Sequence, residues 1–171
     1  MSAIEPQDFL ATYVMPALEH YGRHRLEKHL AVNAISQMDN LAEVVAAHML
    51  LPSRRDLKRG EAGDYRKALR SRWPVLGTVN DAPDCHKHGK LTRQSAAEDP
   101  KGVAAGRPEP MTEFGFFVDH TPVGGPLTPY EVLAVTPNDG TRREVFELLC
   151  EALQAWEGEF LQLGLNWRGA Q

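Results

Sequence analysis

Leu26–Pro52 reads LEKHLAVNAISQMDNLAEVVAAHMLLP. In it Leu26, Leu30, Ala34, Met38, Leu41, Val45 and Met49 recur at steps of three or four, until Pro52 stops the pattern. A stripe of about 25 residues with that period predicts a helix that turns one side to the core of a bundle. Met38 and Met49 on the stripe read as gap-filling core residues. The most apolar run, Leu41–Leu51, carries Glu43 and His48 and is too short to span a bilayer.

Upstream, Glu5-Pro6-Gln7-Asp8 starts a helix, since Pro suits the first turn and acidic groups suit the positive end of the dipole. That helix is expected to reach about Glu19, with Gly22 ending or bending it. Downstream, Arg54–Gly63 is a polar, basic connection. Asp64 can cap a helix through Trp73, with Tyr65, Leu69 and Trp73 (or Ala68) inward and Arg66, Lys67 and Arg70 outward. Pro74 then opens a further helical stretch. Gln94–Pro110, rich in Gly, Pro and Ala, reads as a loop. Glu113–Asp119 and Tyr130–Thr136 look like short strands joined by a wide turn at Gly124-Gly125-Pro126. Asn138-Asp139-Gly140 makes a tight turn, and Thr141 with Glu144 has the spacing of a capping box. The last helix should bury Val145, Leu148, Leu149, Ala152, Trp156, Phe160 and Leu163, and Gly164 should end it. The expected fold is mainly α, a four-helix-type bundle with a β-hairpin inserted before the last helix. It forms a single domain over residues 1–171, with a helical core at about 5–93 and 141–164 and an excursion at about 94–140.

The composition agrees: 171 residues, 42% apolar and 25% charged, suit one globular domain with a sizeable core. Cys85 and Cys150 make no disulfide framework. With no signal peptide at Met1–Leu10, a cytoplasmic protein with no membrane association is expected. The net charge of −4 hides an asymmetry. Ser53–Arg93 holds eleven Lys/Arg against five Asp/Glu, a balance of +6, which leaves −10 elsewhere. Such a segment is either the footprint of a polyanion site or the internal partner of a Glu-rich last helix (Glu144, Glu147, Glu151, Glu157, Glu159).

Reactive groups are densest in Asn80–Arg93, which packs two carboxylates, a thiol, two imidazoles and three cations into one short stretch. On a helix Asp81, Asp84 or Cys85, and His88 share a face, and Asp84 lies one turn from His88. A carboxylate beside an imidazole orients the ring and raises its pKa, as general acid–base chemistry near neutral pH requires. Asp81, Asp84, His86, Lys87 and His88 are therefore the candidate catalytic residues. Arg66, Arg70, Arg72, Lys90 and Arg93 are the candidate phosphate contacts. The bland reading is a helix end whose His and Asp make surface hydrogen bonds. A metal-dependent hydrolase is a further alternative, because Cys85, His86, His88 and the two aspartates are suitable zinc ligands. Residues 86 and 88 diverge on a helix, however, so no metal or cofactor is assigned. His20, His24 and Glu27 have helical ligand spacing without a fourth ligand, and His120 beside Asp119 belongs to the hairpin. No Walker loop, G-x-G-x-x-G, G-x-S-x-G or H-E-x-x-H motif occurs.

The long amphipathic helix, then a helix ending in Asn80-Asp81 … His86-Lys87-His88-Gly89, then Leu91 and Arg93, resembles bacterial HEPN-type helical-bundle proteins. The likeness covers about Tyr21–Arg93, with the Trp156 helix closing the bundle. It implies an all-α bundle, dimer formation, and RNA binding or cleavage in a toxin–antitoxin or phage-defence setting. The nuclease members carry an Arg four to six residues before the His. Here Asn80 or Asp81 stands in that slot. Arg23-x5-His29 has the literal spacing, but about one or two such matches arise by chance in a chain this rich in Arg and His. A non-catalytic HEPN-like module that binds RNA or another phosphate-bearing partner is the expected function. Were RNA cleaved, His88 or His86 would be the base, with Lys87, Arg70 or Arg93 stabilising the phosphorane. The alternative from another class is a protein–protein interaction module using the Phe114–Val118 hairpin and helix faces.

Overall fold

The structure is a computed structural model describing residues 4–50, 61–88, 109–115, 117–118, 121–122, 128–135 and 142–167. Pro6–Phe9 (α1) passes through a π-helical turn at Leu10–Val14 into Met15–Arg23 (α2). Pro6 holds the first helical position and Asp8 the first turn, as expected. The wide turn has a local cause. Pro16 has no N–H to give Thr12, and in an α-helix its ring would collide with that carbonyl. Instead the Met15 N–H reaches back to the Leu10 carbonyl. Gly22 lies inside α2 and does not end it, because one glycine costs a helix only about 1 kcal/mol.

The stripe that predicted the central helix becomes α3, Lys28–Leu50. Its buried face is wider than the stripe, adding Ala31, Ile35, Ala42 and Ala46 to Ala34, Met38, Leu41 and Val45. The breadth follows from α3's position, with α1, α2 and three later helices packed around it. The two ends of the stripe stay outside. Leu26 precedes the helix and is 52% exposed, and Met49, in the last turn, is 44% exposed. The period of a stripe does not reveal how far its neighbours extend, so Met49 is not the core residue expected.

Glu61–Arg72 forms α4, starting three residues ahead of Asp64, and Pro74–His88 forms α5. One residue, Trp73, separates them. A residue before proline is driven out of helical geometry, and Pro74 then fits the first position of α5. Because α5 opens at Pro74, Pro83 falls in its interior and not near its first turn, and deprives the Val79 carbonyl of its helical donor.

The hairpin precedes the last helix, with shifted bounds. Glu109–Gly115 (β1) pairs antiparallel with Thr128–Val135 (β4), from Glu109↔Ala134 to Gly115↔Thr128. Phe117–Val118 (β2) pairs with Thr121–Pro122 (β3) instead of extending β1, because β4 begins at Thr128, opposite Gly115. Arg143–Glu144 (β5) adds to the other edge of β4. Residues 132–135 of β4 are all buried, so both faces of that strand end are covered, and β4 packs on the last helix.

That helix is α6, Val145–Gln162. It buries the expected residues except Leu163, which is half-buried, and Gly164 closes it at φ 68°. Its N-cap is Glu144 itself, whose side chain accepts from the Glu147 N–H at 2.7 Å. The helix thus starts one turn later than a capping box led by Thr141 requires, because residues 143–144 are held in the sheet. Of the expected loop at Gln94–Pro110, residues 109 and 110 instead open β1, and residues 94–108, like the expected turns at 124–126 and 138–140, lie outside the described residues. Among the described residues no helix is long and apolar enough to cross a membrane.

The fully buried Leu41 and the 69% exposed Leu161 test this packing. Leu41→Ala should lower the unfolding free energy by about 2–5 kcal/mol, while Leu161→Ala should change it by about 0.5 kcal/mol or less; urea denaturation measures both.

Candidate functional site

The α4–α5 corner carries most of the candidate residues, and four carboxylates organise it. The innermost is Glu159 on α6, whose side chain is 0% exposed. It accepts from the Tyr65 hydroxyl at 3.1 Å and the Arg72 guanidinium at 2.6 Å through Oε1, and from Trp73 Nε1 at 2.9 Å through Oε2. Both oxygens are matched with donors, which a buried carboxylate requires. The Trp73 ring lies so close to Gly158 that a Cβ there would stand 2.6 Å from its Cη2. Burial, and then the Glu159 charge, push the Tyr65 hydroxyl above its ordinary pKa, so it stays a donor.

A second group joins α3, α4 and α5. Arg66 donates to both oxygens of Asp39 at 3.1 Å and to Glu43 Oε1 at 3.1 Å. Asn80, with its amide turned as the neighbouring groups dictate, donates to Asp39 Oδ1 and to the Leu76 carbonyl, each at 3.1 Å. Arg70 donates to Asp81, whose carboxylate is almost fully buried. The Arg70 stem crosses Gly77, where a Cβ would come within 2.8 Å of Cγ. Contacts of residue 70 with 77 and 81, and of 66 and 80 with the same Asp39, mean that α4 and α5 fold back on each other. The start of α4 and the end of α5 therefore lie at the open end of this helical hairpin, away from Trp73.

The structure brings Asp81 and Arg70 together and gives each arginine its own carboxylates: Asp39 and Glu43 for Arg66, Asp81 for Arg70 and Glu159 for Arg72. Arg66 and Arg70 are 27% and 21% exposed, so neither simply faces outward as the helical wheel suggested. Asp84, His86, Lys87 and His88 occupy the end of α5, where the backbone is described and the side chains are not. Lys90 and Arg93 lie outside the described residues, as does His120. His20 and His24 stack edge to face at 5.5 Å, and among the described residues no group of three or more His, Cys, Asp or Glu could hold a metal ion. Cys150 is a free thiol whose pKa burial pushes up, which disfavours the reactive thiolate.

The residues missed by sequence reasoning are Asp39, Glu43 and Tyr65 as a donor; Glu159 was one of five glutamates offered as internal partners of the basic segment, and it is the one that takes Arg72. Glu159 left a readable signal, because it follows Ala152 and Trp156 on the apolar stripe of α6. A carboxylate at a core position requires buried donors. Asp39 and Glu43 show a helical i, i+4 spacing on α3, but that spacing does not reveal which cation faces them. Chemically, the corner is a set of carboxylates engaged by arginine, amide, phenol and indole donors, an arrangement that sets helix positions. Compared with protein-family models, curated proteins and solved structures, the chain matches none.

Removing Glu159 strands three donors, so Glu159→Ala should cost about 3–5 kcal/mol of stability. Arg72→Ala, at a side chain 43% exposed, should cost about 1 kcal/mol or less. In a double-mutant cycle, Arg70→Ala and Asp81→Asn should couple by about 1–3 kcal/mol in chemical denaturation.

Proposed function

We propose that this chain is a HEPN-like helical bundle of the cytoplasm, of the toxin–antitoxin or phage-defence kind. It binds RNA or another phosphate-bearing partner at the open end of the α4–α5 hairpin. The contacts are Lys87, Lys90 and Arg93, with His86 and His88 on either side of Lys87 in the sequence as hydrogen-bond donors. The observation that supports this reading is the fold-back of α4 on α5 together with the internal pairing of Arg66, Arg70 and Arg72. Those three arginines hold the hairpin and are engaged with carboxylates. The remaining cations of the basic segment fall mostly on the two flanks, Arg54, Arg55, Lys58 and Arg59 before α4 and Lys87, Lys90 and Arg93 at and after the end of α5. The chain enters and leaves the hairpin at one end, so its topology joins both flanks to that end. A concentration of positive charge of this kind attracts a polyphosphate backbone and gives affinity that falls steeply with salt. Within this reading Asp81 is a positioning residue for α5, and binding without cleavage is the primary activity of the bundle, which acts as a dimer.

Fluorescence anisotropy with a labelled single-stranded oligoribonucleotide, over a range of about 50–200 mM salt, tests the reading. Binding should weaken with salt, and the triple variant Lys87→Ala/Lys90→Ala/Arg93→Ala should bind more weakly with a salt slope lower by about 2, at roughly 0.7 per lost contact. Arg72→Ala should leave that slope unchanged. No binding at the lowest salt, or an unaltered slope in the triple variant, overturns the proposal; salt-insensitive capture of a protein would favour an interaction module.

A further inference from the structure

Away from the α4–α5 corner, a second set of buried polar groups surrounds Glu144, the residue where the sheet becomes α6. Glu144 belongs to both elements, because it pairs with Ala134 across β5 and β4 and also caps α6. It is 4% exposed. One carboxyl oxygen, Oε2, accepts from the Glu147 N–H at 2.7 Å. The other, Oε1, is buried with no hydrogen-bond partner among the described residues, and the wholly buried Tyr21 hydroxyl of α2 likewise has none.

The titratable and charged described groups around it are Tyr21 from α2, Arg25 from the α2–α3 link, and Glu147 and Cys150 from α6. Arg143 of β5 is paired with Glu151. Residues 132–135 of β4 contribute apolar side chains. Arg25 lies over the Phe146 ring, with Cζ 3.9 Å from its centroid. For a carboxylate with one buried oxygen unmatched, the N–H groups at the start of α6 do not offset the cost of desolvation.

We propose that Glu144 is a proton-dependent latch between the sheet and the helical bundle: protonated, its carboxyl fastens the β4–β5–α6 joint, and ionised, it loosens that joint. Burial pushes the carboxyl above its ordinary value, and this outweighs the Glu147 and Phe146 N–H groups and Arg25, which favour the ionised form. The folded chain therefore holds this proton more tightly than the unfolded chain. The stability it contributes is fully present below the ordinary glutamate range and is lost as pH rises through the raised value. Acidification tightens the joint, and a neutral medium relaxes it.

Amide hydrogen exchange from about pH 5 to about pH 8, corrected for intrinsic rates, reads the latch at Val135, Arg143 and Glu147. Protection at these amides should fall as pH rises, about tenfold for each unit by which the folded value of Glu144 exceeds the unfolded one. In Glu144→Gln, which is neutral at every pH, protection should stay flat across that range. An identical pH profile in the wild type and Glu144→Gln, or protection that rises with pH in the wild type alone, overturns the proposal. Should Glu144→Gln fail to fold, carbon-13 NMR titration of the Glu144 carboxyl in the wild type decides. An inflection above the ordinary glutamate range supports the latch, and one at or below it overturns the latch.

Discussion

Glu159 is a negative charge with no exposed surface, held on the core face of α6 by a phenol, an indole and a guanidinium from α4 and the residue that follows it. A carboxylate buried there without partners is costly, so the three donors must arrive together. They do so because Pro74 forces the chain to break at Trp73, which places Trp73 and Arg72 at a corner over α6. Gly158 completes the fit by leaving room for the indole ring. The placement of α4, the direction of α5 and the closure of the bundle by α6 all run through this contact.

The same logic accounts for the basic segment. Its excess charge suggested a surface for polyanions, yet its central arginines serve the interior. Arg66 is engaged by Asp39 and Glu43 of α3, Arg70 by Asp81 of α5 and Arg72 by Glu159 of α6. Each arginine ties α4 to a different helix, so a short helix with few apolar residues is fixed on three sides. A run of like charges is thus two things, a brace where carboxylates meet it and a candidate binding surface where its flanks continue past the helix ends. Local charge counts cannot separate these, because the partners are 11 to 87 residues away in the chain.

Much of the fold was legible. The central helix, the Trp156 helix, the opening of α5 at Pro74 and the hairpin ahead of α6 follow from periodicity, from proline and from β-rich composition. What was less legible were positions whose environment is set by other elements. Met49 has the right period and stays half outside. The Phe117–Val118 segment turns into its own small hairpin because β4 does not reach it. Glu144 looked like the far member of a capping box and is the cap itself, because strand pairing holds residues 143–144 extended. Of the candidate site, the sequence located the polar segment and the residue types, and the pairing of Asp81 with Arg70 depended on a fold-back that helical spacing does not contain.

By itself, the sequence determined the mainly α class, the order of elements and the faces that turn inward, since these depend on interactions within a few residues and on the period of the backbone. Only the tertiary structure decided which charges neutralise one another, that Glu159 lies at the centre of a donor cluster, and that Glu144 joins sheet and helix. Those outcomes depend on distance in space, and electrostatic and hydrogen-bond energies inside a protein are set by the few ångströms between groups far apart in the chain.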